Sequence, residues 1–203
     1  MKTFMIIVFS LLAATAFYPA EKNGYEVGDK ATDFELKNVD GKMVSLSDFK
    51  DAKGFIIAFT CNSCPIANLY EQRIIDLHKQ YAPKGYPVIA INPNDADKQP
   101  DDSYENMKTR AEEKNYPFPY LMDETQKITK EFGATNTPHM YVLQKEDDQY
   151  VVKYIGAIDN NPKEPDQASK KFIYDALDAL IEGKEVPVEQ TKAVGCSIKW
   201  KSA

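Results

Sequence analysis

Apolar and polar residues along the chain follow two periods, one typical of buried strands and one typical of amphipathic helices. Unbroken apolar runs at residues 55–59 and 87–91 predict two strands that are buried on both faces. Between them, apolar side chains recur three or four positions apart over residues 65–82, which predicts an amphipathic helix. Further strands are predicted at 140–143 and 150–155. Because strands and helices alternate, the pattern indicates an α/β fold.

Shorter patterns account for most of the remaining chain. Phe34–Leu36 and Met43–Leu46 alternate apolar with polar residues around a turn at 38–41, which predicts a hairpin. The polar segment 93–103 contains four aspartates and two prolines, which predicts a surface loop. The same criteria predict a helix at 104–115, an extended piece at 120–122, a helix capped by Asp123 and ending at Phe132, and a last helix at 168–181.

The N-terminal sequence differs from the rest of the chain. A lysine precedes an apolar run over residues 4–14, and Ala14-Thr15-Ala16 places small residues where a cleavage site needs them. These features predict a secretory signal peptide over residues 1–16, with an uncleaved anchor as the alternative. The mature chain then has one domain over 17–183 and a tail over 184–203. Export places it in the periplasm or outside the cell, where disulfides persist.

Composition narrows the classes of function. The 203 residues carry a formal net charge of -6 and no basic cluster, which argues against nucleic-acid binding. After the N-terminal run, no apolar stretch approaches the length of a transmembrane helix, so we expect no stable membrane insertion of the mature chain. The chain has three cysteines and two histidines, so thiol or metal chemistry depends on few residues.

Two of the cysteines, Cys61 and Cys64, lie between a predicted strand and a predicted helix. C-x-x-C spacing at such a junction is typical of thiol–disulfide exchange. Cysteine reacts as the thiolate, which the free N–H groups of a helix N-terminus stabilise. Two other roles are open. In the first, the pair is half of a zinc site and recruits nearly all of Cys196, His78 and His139 as further ligands. In the second, it is an inert structural disulfide, although cross-linking so short a loop adds little stability.

Four segments and a C-terminal motif carry a resemblance to a known family. The segments are 58–65 (Ala-Phe-Thr-Cys-Asn-Ser-Cys-Pro), 118–124, 132–138 and 156–159, and the motif is Gly-Cys-Ser-Ile-Lys-Trp at 195–200. Together they resemble exported thioredoxin-like redoxins of the alkyl hydroperoxide reductase/thiol-specific antioxidant branch, over about residues 25–203. The resemblance implies a three-layer thioredoxin fold, a mixed central sheet flanked by helices. An N-terminal hairpin, an insertion and a C-terminal tail complete it.

The resemblance also assigns roles to residues of the site. It makes Cys61 the attacking thiol, at the exposed edge of the helix start, and Cys64 the shielded resolving thiol. Pro138 is then a cis-proline that faces the two thiols across a cleft, although a trans-proline opening a strand is the alternative. The backbone of Thr137 is expected to be free to pair with an extended substrate.

Three further residues are candidates for accessory roles. Thr60 precedes the pair where many thioredoxins have tryptophan. His139 follows the Thr-Pro motif, and a charged imidazole there would favour a thiolate, unless it points to solvent as the first residue of a strand. Cys196 is a third redox thiol if the tail folds back toward Cys61, and a buried, unreactive cysteine if it does not.

These features together predict an exported thiol–disulfide oxidoreductase that reduces substrate disulfides, with no organic cofactor and no metal. Its expected partners are a protein or small-molecule disulfide and a thiol redox partner. Thiol peroxidase is an alternative, although neither Cys61 nor Cys64 has the Thr-x-x-Cys spacing of peroxidase members. A copper-binding chaperone using both thiols and His139 is a second alternative, although such proteins space their cysteines one residue wider.

Overall fold

The computed structural model describes residues 23–202, so the predicted signal peptide lies outside the described residues. Over this range no helix is both long enough and apolar enough to cross a membrane. The strands are β1 (Lys30–Ala31), β2 (Glu35–Asn38), β3 (Met43–Ser45), β4 (Gly54–Phe59), β5 (Val88–Asn92), β6 (Tyr120–Met122), β7 (Asn136–Thr137), β8 (His139–Glu146), β9 (Gln149–Gly156) and β10 (Cys196–Ser197). The α-helices are α1 (Pro65–Tyr81), α2 (Tyr104–Glu113), α3 (Lys127–Phe132) and α4 (Phe172–Ile181).

Strand β4 lies near the centre of the main sheet and leads into the candidate site. It pairs in parallel with β5 and antiparallel with β8, within the strand order β1-β9-β8-β4-β5-β6-β2-β3. All six of its residues are buried, because both faces of the sheet are covered. The predicted hairpin is also confirmed, since β2 pairs antiparallel with β3.

Apolar side chains pack on both faces of the sheet, which gives three layers. Ile56 faces the core shared with α1 and α4, together with Leu77 and Leu177. The next residue, Ile57, faces the opposite core, which includes Phe132 of α3. This alternation is the two-residue period of a strand. Each fully buried side chain of this kind contributes roughly 1.5–3 kcal/mol relative to exposure. The first of these cores therefore holds α1 against β4.

Helix α3 is shorter than the sequence predicts. It begins at Lys127 rather than at Asp123, because Gln126 has φ 57° and ψ 19°, in the left-handed region. The Asp123 carboxylate still stabilises this helix, since it accepts the Thr129 N–H at 2.7 Å and the Thr129 hydroxyl at 2.6 Å. Asp123 therefore caps the helix from outside the usual N-cap position.

The basic side chain of Arg73 on α1 is buried rather than on the surface. It is 7% exposed and donates to the Asp159 carboxylate at 2.6 Å. It also donates to the carbonyl oxygens of Asn161 and Pro162, at 2.9 and 2.8 Å. The loop after β9 supplies these acceptors, which offset the cost of burying the guanidinium.

Candidate active site

The C-x-x-C pair lies where β4 ends and α1 begins. Sheet pairing continues to Thr60, whose N–H donates to the Ile91 carbonyl oxygen at 2.9 Å. Helix α1 begins at Pro65, a position at which proline loses no helical hydrogen bond. Cys64 is the N-cap of this helix, and its sulfur accepts the Ala67 N–H at 3.4 Å. The strand and the helix therefore fix the two ends of the four-residue motif.

Both thiols of the pair are free and buried. Cys61 is 4% exposed and Cys64 is 2% exposed. The expectation of an exposed Cys61 is therefore wrong, because surrounding segments cover both sulfurs. Thr137 contacts both of them: its hydroxyl oxygen is 3.1 Å from the Cys61 sulfur, and its carbonyl oxygen is 3.1 Å from the Cys64 sulfur, within reach of the S–H when Cys64 is protonated. The Thr137–Pro138 peptide bond is cis.

The C-terminal tail folds back onto this site. Strand β10 pairs antiparallel with β7, with Cys196 opposite Thr137. The Cys196 N–H donates to the Cys64 sulfur at 3.3 Å, so the tail reaches Cys64 rather than Cys61. Gly195 packs so closely that a Cβ there would overlap the Thr137 carbonyl oxygen. The backbone of Thr137, which the sequence leaves free for a substrate, is therefore paired with the tail of the same chain.

Hydrogen bonds around the pair shift the pKa values of the two thiols in opposite directions. Bonds from the Cys61 and Cys196 thiols, together with the N–H groups of Ala67 and Cys196, lower the pKa of Cys64 to about 4. The hydrogen bond from Cys61 to Cys64 raises the pKa of Cys61, and burial and the Asp102 carboxylate raise it further. The pKa of Cys196 is raised by burial and by the neighbouring Cys64. The two thiols of the pair therefore differ in pKa, and Cys64 is the more acidic.

Asp102 holds the turn between the two cysteines. Its buried carboxylate accepts the N–H groups of Asn62 and Ser63, at 2.7 and 3.1 Å, and the Ser63 hydroxyl at 2.6 Å. It also accepts the side-chain amide of Asn94 at 2.7 Å. The prediction of a surface loop over 93–103 is wrong at these positions, because Asp102 is fully buried. No local sequence signal separates Asp102 from the other aspartates of that loop.

Two predicted accessory residues contribute less than expected. Thr60 is buried and lines a small cavity together with Cys61 and Tyr116. His139 is 8% exposed, and its Nδ1 accepts the Thr135 N–H at 3.3 Å. Burial lowers the pKa of His139 to about 4, so its imidazole is neutral at pH 7. Both predictions for His139 are therefore wrong, because its imidazole is neither charged beside the thiols nor directed to solvent.

The described residues offer no arrangement for a metal ion. Between residues 23 and 202, no three His, Cys, Asp or Glu side chains converge as a metal site requires. His139 therefore does not join Cys61 and Cys64 as a third ligand. The copper site considered from the sequence lacks the histidine on which it depended.

The fold and the paired thiols define the class of this molecule, a thioredoxin-fold redox protein. The sequence model of the AhpC/TSA family matches residues 27–158, more than half of the chain, and the chain belongs to that family. The thiol-disulfide oxidoreductase ResA of Bacillus thuringiensis subsp. konkukian is 24% identical over 147 residues, covering 70% of this chain and 80% of ResA. The chloroplastic peroxiredoxin Q of Triticum aestivum is 31% identical over 147 residues, covering 69% of this chain and 61% of its own.

Solved structures confirm the predicted fold. A conserved protein of Geobacillus kaustophilus superposes with a TM-score of 0.81 at 42% identity, over 89% of this chain and 95% of that one. An exposed lipoprotein thioredoxin of Streptococcus pneumoniae superposes with a TM-score of 0.55 at 20% identity, over 75% of this chain and 99% of that one. The second likeness concerns the fold alone.

The location of the thiolate leads to a pH prediction. We expect ultraviolet thiolate absorbance of the reduced protein to rise as pH increases through about 4, far below the ordinary cysteine value of about 8.5. The low-pH transition should disappear in Cys64→Ser. It should move upward but persist in Cys61→Ala, which removes the Cys61 donor and leaves the bonds from Cys196 and Ala67 to the Cys64 sulfur. A wild-type transition only near the ordinary cysteine value would contradict this assignment.

Removal of the charge at Asp102 should change the reduction potential of the pair. Asp102→Asn keeps the side-chain size but removes a negative charge beside the pair, which stabilises the thiolate of the reduced form. We expect the potential, measured against glutathione buffers, to become less negative by about 30 mV, or ~1.4 kcal/mol. Asp101→Asn, with an exposed side chain next to it, is the matched control. Equal potentials in the two variants would show that the Asp102 carboxylate acts only on the shape of the turn.

Proposed function

We propose that this protein is an exported thiol–disulfide oxidoreductase that reduces substrate disulfides through the Cys61–Cys64 couple. The observation that carries the proposal is the pair of free thiols at the start of α1, both in contact with Thr137 beside cis-Pro138. Membership of the AhpC/TSA family and similarity to ResA support it.

The contacts of Thr137 support a proton shift that makes Cys61 the attacking thiol. In the resting dithiol, Cys64 has the lower pKa. When the Cys61 proton moves to Cys64, the Cys61 anion can accept the Thr137 hydroxyl across 3.1 Å. The new Cys64 thiol can donate to the Thr137 carbonyl oxygen, also at 3.1 Å. One residue therefore stabilises both products of the transfer.

The reaction then follows the ordinary course of thiol–disulfide exchange. The Cys61 thiolate attacks one sulfur of the substrate disulfide, and the other substrate sulfur leaves as a thiolate. Cys64 loses its proton to solvent and attacks the Cys61 sulfur, which releases the second substrate thiolate. Two electrons pass to the substrate, and a Cys61–Cys64 disulfide remains. A thiol redox partner must reduce this disulfide before the next turnover, and no organic cofactor enters these steps.

Substrate binding in this proposal uses the edge of β7. A peptide substrate pairs with the Thr137 backbone in the position that β10 occupies in the resting structure. Strand β10 is only two residues long, so its pairing is short enough to exchange with another strand. The tail must therefore leave the edge during each encounter with an extended substrate.

Thiol peroxidase activity is the second candidate. The 31% identity to peroxiredoxin Q favours it. In that reaction, peroxide oxidises Cys61 to a sulfenic acid and Cys64 closes the disulfide with loss of water. The assay described next therefore includes a peroxide arm.

A disulfide-reduction assay tests the main proposal and the roles of the two thiols. We expect the wild-type protein to catalyse reduction of a peptide disulfide by a dithiol, and Cys61→Ser and Cys64→Ser to lose this activity to background. Cys64→Ser should retain the substrate as a mixed disulfide on Cys61, because no resolving thiol remains. Ser169→Ala, an exposed serine remote from the pair, is the control. Consumption of peroxide without reduction of the disulfide would favour the second candidate.

The first residue of the protein isolated from cells provides a separate test of export. The predicted cleavage after Ala16 should give a mature chain that begins at Phe17 in the extracytoplasmic fraction. Sequencing of the N-terminus after cell fractionation measures both the first residue of the chain and the fraction in which the chain is found. A cytoplasmic chain that retains the first sixteen residues would contradict export.

A further inference from the structure

We propose that Cys196 is a third catalytic thiol, which exchanges with the Cys61–Cys64 disulfide to form a Cys64–Cys196 disulfide. The inference deepens the oxidoreductase function proposed above and rests on it. It moves the oxidised bond from two buried sulfurs to a sulfur at the protein surface.

Backbone pairing aims Cys196 at Cys64. Cys196 lies opposite Thr137 in the β10–β7 pair, and its N–H is 3.3 Å from the Cys64 sulfur. The two thiol groups also interact with each other, and the Cys196 sulfur accepts the N–H of Ile66 in the first turn of α1. Cys61, Cys64 and Cys196 therefore belong to one packed cluster with Ala67 and Ile66.

Contacts on both sides of Cys196 hold the tail in this position. On one side, the Asn136 side chain donates to the Gly195 carbonyl oxygen at 3.0 Å. On the other side, Ile198 is 4% exposed, and its N–H donates to the Thr135 carbonyl oxygen at 3.2 Å. These contacts give the Cys196 thiol a high effective concentration at Cys64.

Polar contacts farther along the tail reinforce this position. The Lys199 N–H donates to the Asn94 side chain at 2.9 Å, and its carbonyl oxygen accepts the Asp95 N–H at 2.9 Å. The Lys201 N–H donates to the Gln126 side chain at 2.7 Å. Since Asn94 also bonds to Asp102, the segment that anchors the tail is the one that holds the C-x-x-C turn.

The three cysteines differ in solvent exposure, and this difference decides which sulfur a redox partner can reach. Cys61 and Cys64 are buried, whereas Cys196 is partly exposed. A redox partner that attacks a disulfide must reach one of its sulfur atoms in line. A bond to Cys196 presents such a sulfur, which the buried pair does not.

The exchange balances without an added oxidant. The Cys196 thiol loses its proton to solvent, and its thiolate attacks the Cys64 sulfur of the Cys61–Cys64 disulfide. The bond between Cys64 and Cys61 breaks, the bond between Cys196 and Cys64 forms, and Cys61 leaves as a thiolate. A dithiol partner then attacks the Cys196 sulfur, Cys64 leaves as a thiolate, and the partner becomes a disulfide after its second thiol attacks the mixed disulfide.

The Cys61→Ser variant isolates the proposed bond. With oxidised glutathione, Cys64 should first accept glutathione and Cys196 should then displace it. We expect a monomer two hydrogens lighter than the reduced chain, with the peptides of Cys64 and Cys196 linked in a mass-spectrometric map. A persistent glutathione adduct on Cys64, or dimers joined through Cys64 with Cys196 free, would overturn the proposal.

Two controls distinguish the effect of tail placement from the effect of having a thiol at Cys196. Cys61→Ser/Cys196→Ser should retain the glutathione adduct. Cys61→Ser/Gly195→Ala keeps the thiols of Cys64 and Cys196 but adds a Cβ that would overlap the Thr137 carbonyl oxygen. Because a misplaced reactive group reacts more slowly, the link between Cys64 and Cys196 should form at least about tenfold more slowly. An unchanged rate in this variant would overturn the role of β10.

The wild-type protein provides a measurement that does not depend on the folding of a variant. At equilibrium in glutathione buffer, acid quenching and alkylation should reveal a fraction of chains with Cys64 linked to Cys196 and Cys61 free. If Cys61–Cys64 is the only disulfide, and the protein still reduces peptide disulfides, this inference fails and the proposed function stands. If the protein reduces no disulfide, the proposed function fails, whatever the linkage in Cys61→Ser.

Discussion

Thr137 is the contact on which the whole site depends, because it touches all three cysteines of the chain. Its hydroxyl lies against Cys61, its carbonyl oxygen against Cys64, and its backbone pairs with Cys196. A cysteine pair at a helix start needs donors and acceptors that can follow a proton from one sulfur to the other. Thr137 provides one of each, at equal distances of 3.1 Å.

The site is assembled from segments that lie far apart in sequence. Asp102 reaches the C-x-x-C turn from about 40 residues downstream, and the tail reaches Cys64 from 132 residues downstream. Each of these contacts satisfies buried polar groups, which would be costly to leave unpaired. Loss of one segment therefore exposes polar groups of another, so the electrostatics of the thiols and the docking of the tail depend on each other.

The features that can be predicted from the sequence are those that local periodicity and local chemistry determine. The apolar run of β4, the helical spacing of α1 and the C-x-x-C between them place the pair correctly, since each signal lies within a few residues of its effect. Burial of Asp102 and neutrality of His139 could not be predicted, because both follow from long-range packing. The β10 strand gave no periodic signal, since two residues are too few to show one. The late start of α3 depends on the left-handed backbone of Gln126, a conformation for which glutamine has no particular preference.

The long separation between the thiols and β10 also has a consequence for the order of events during synthesis. Cys196 is made 132 residues after Cys64, and chains grow at about 5–20 residues per second. The C-x-x-C pair therefore exists for about 7 to 26 seconds before the strand that will cover it is made. Any oxidant or chaperone that acts on the growing chain meets Cys61 and Cys64 as an uncovered pair. The three-thiol arrangement of the finished molecule is the last part of its chemistry to be completed.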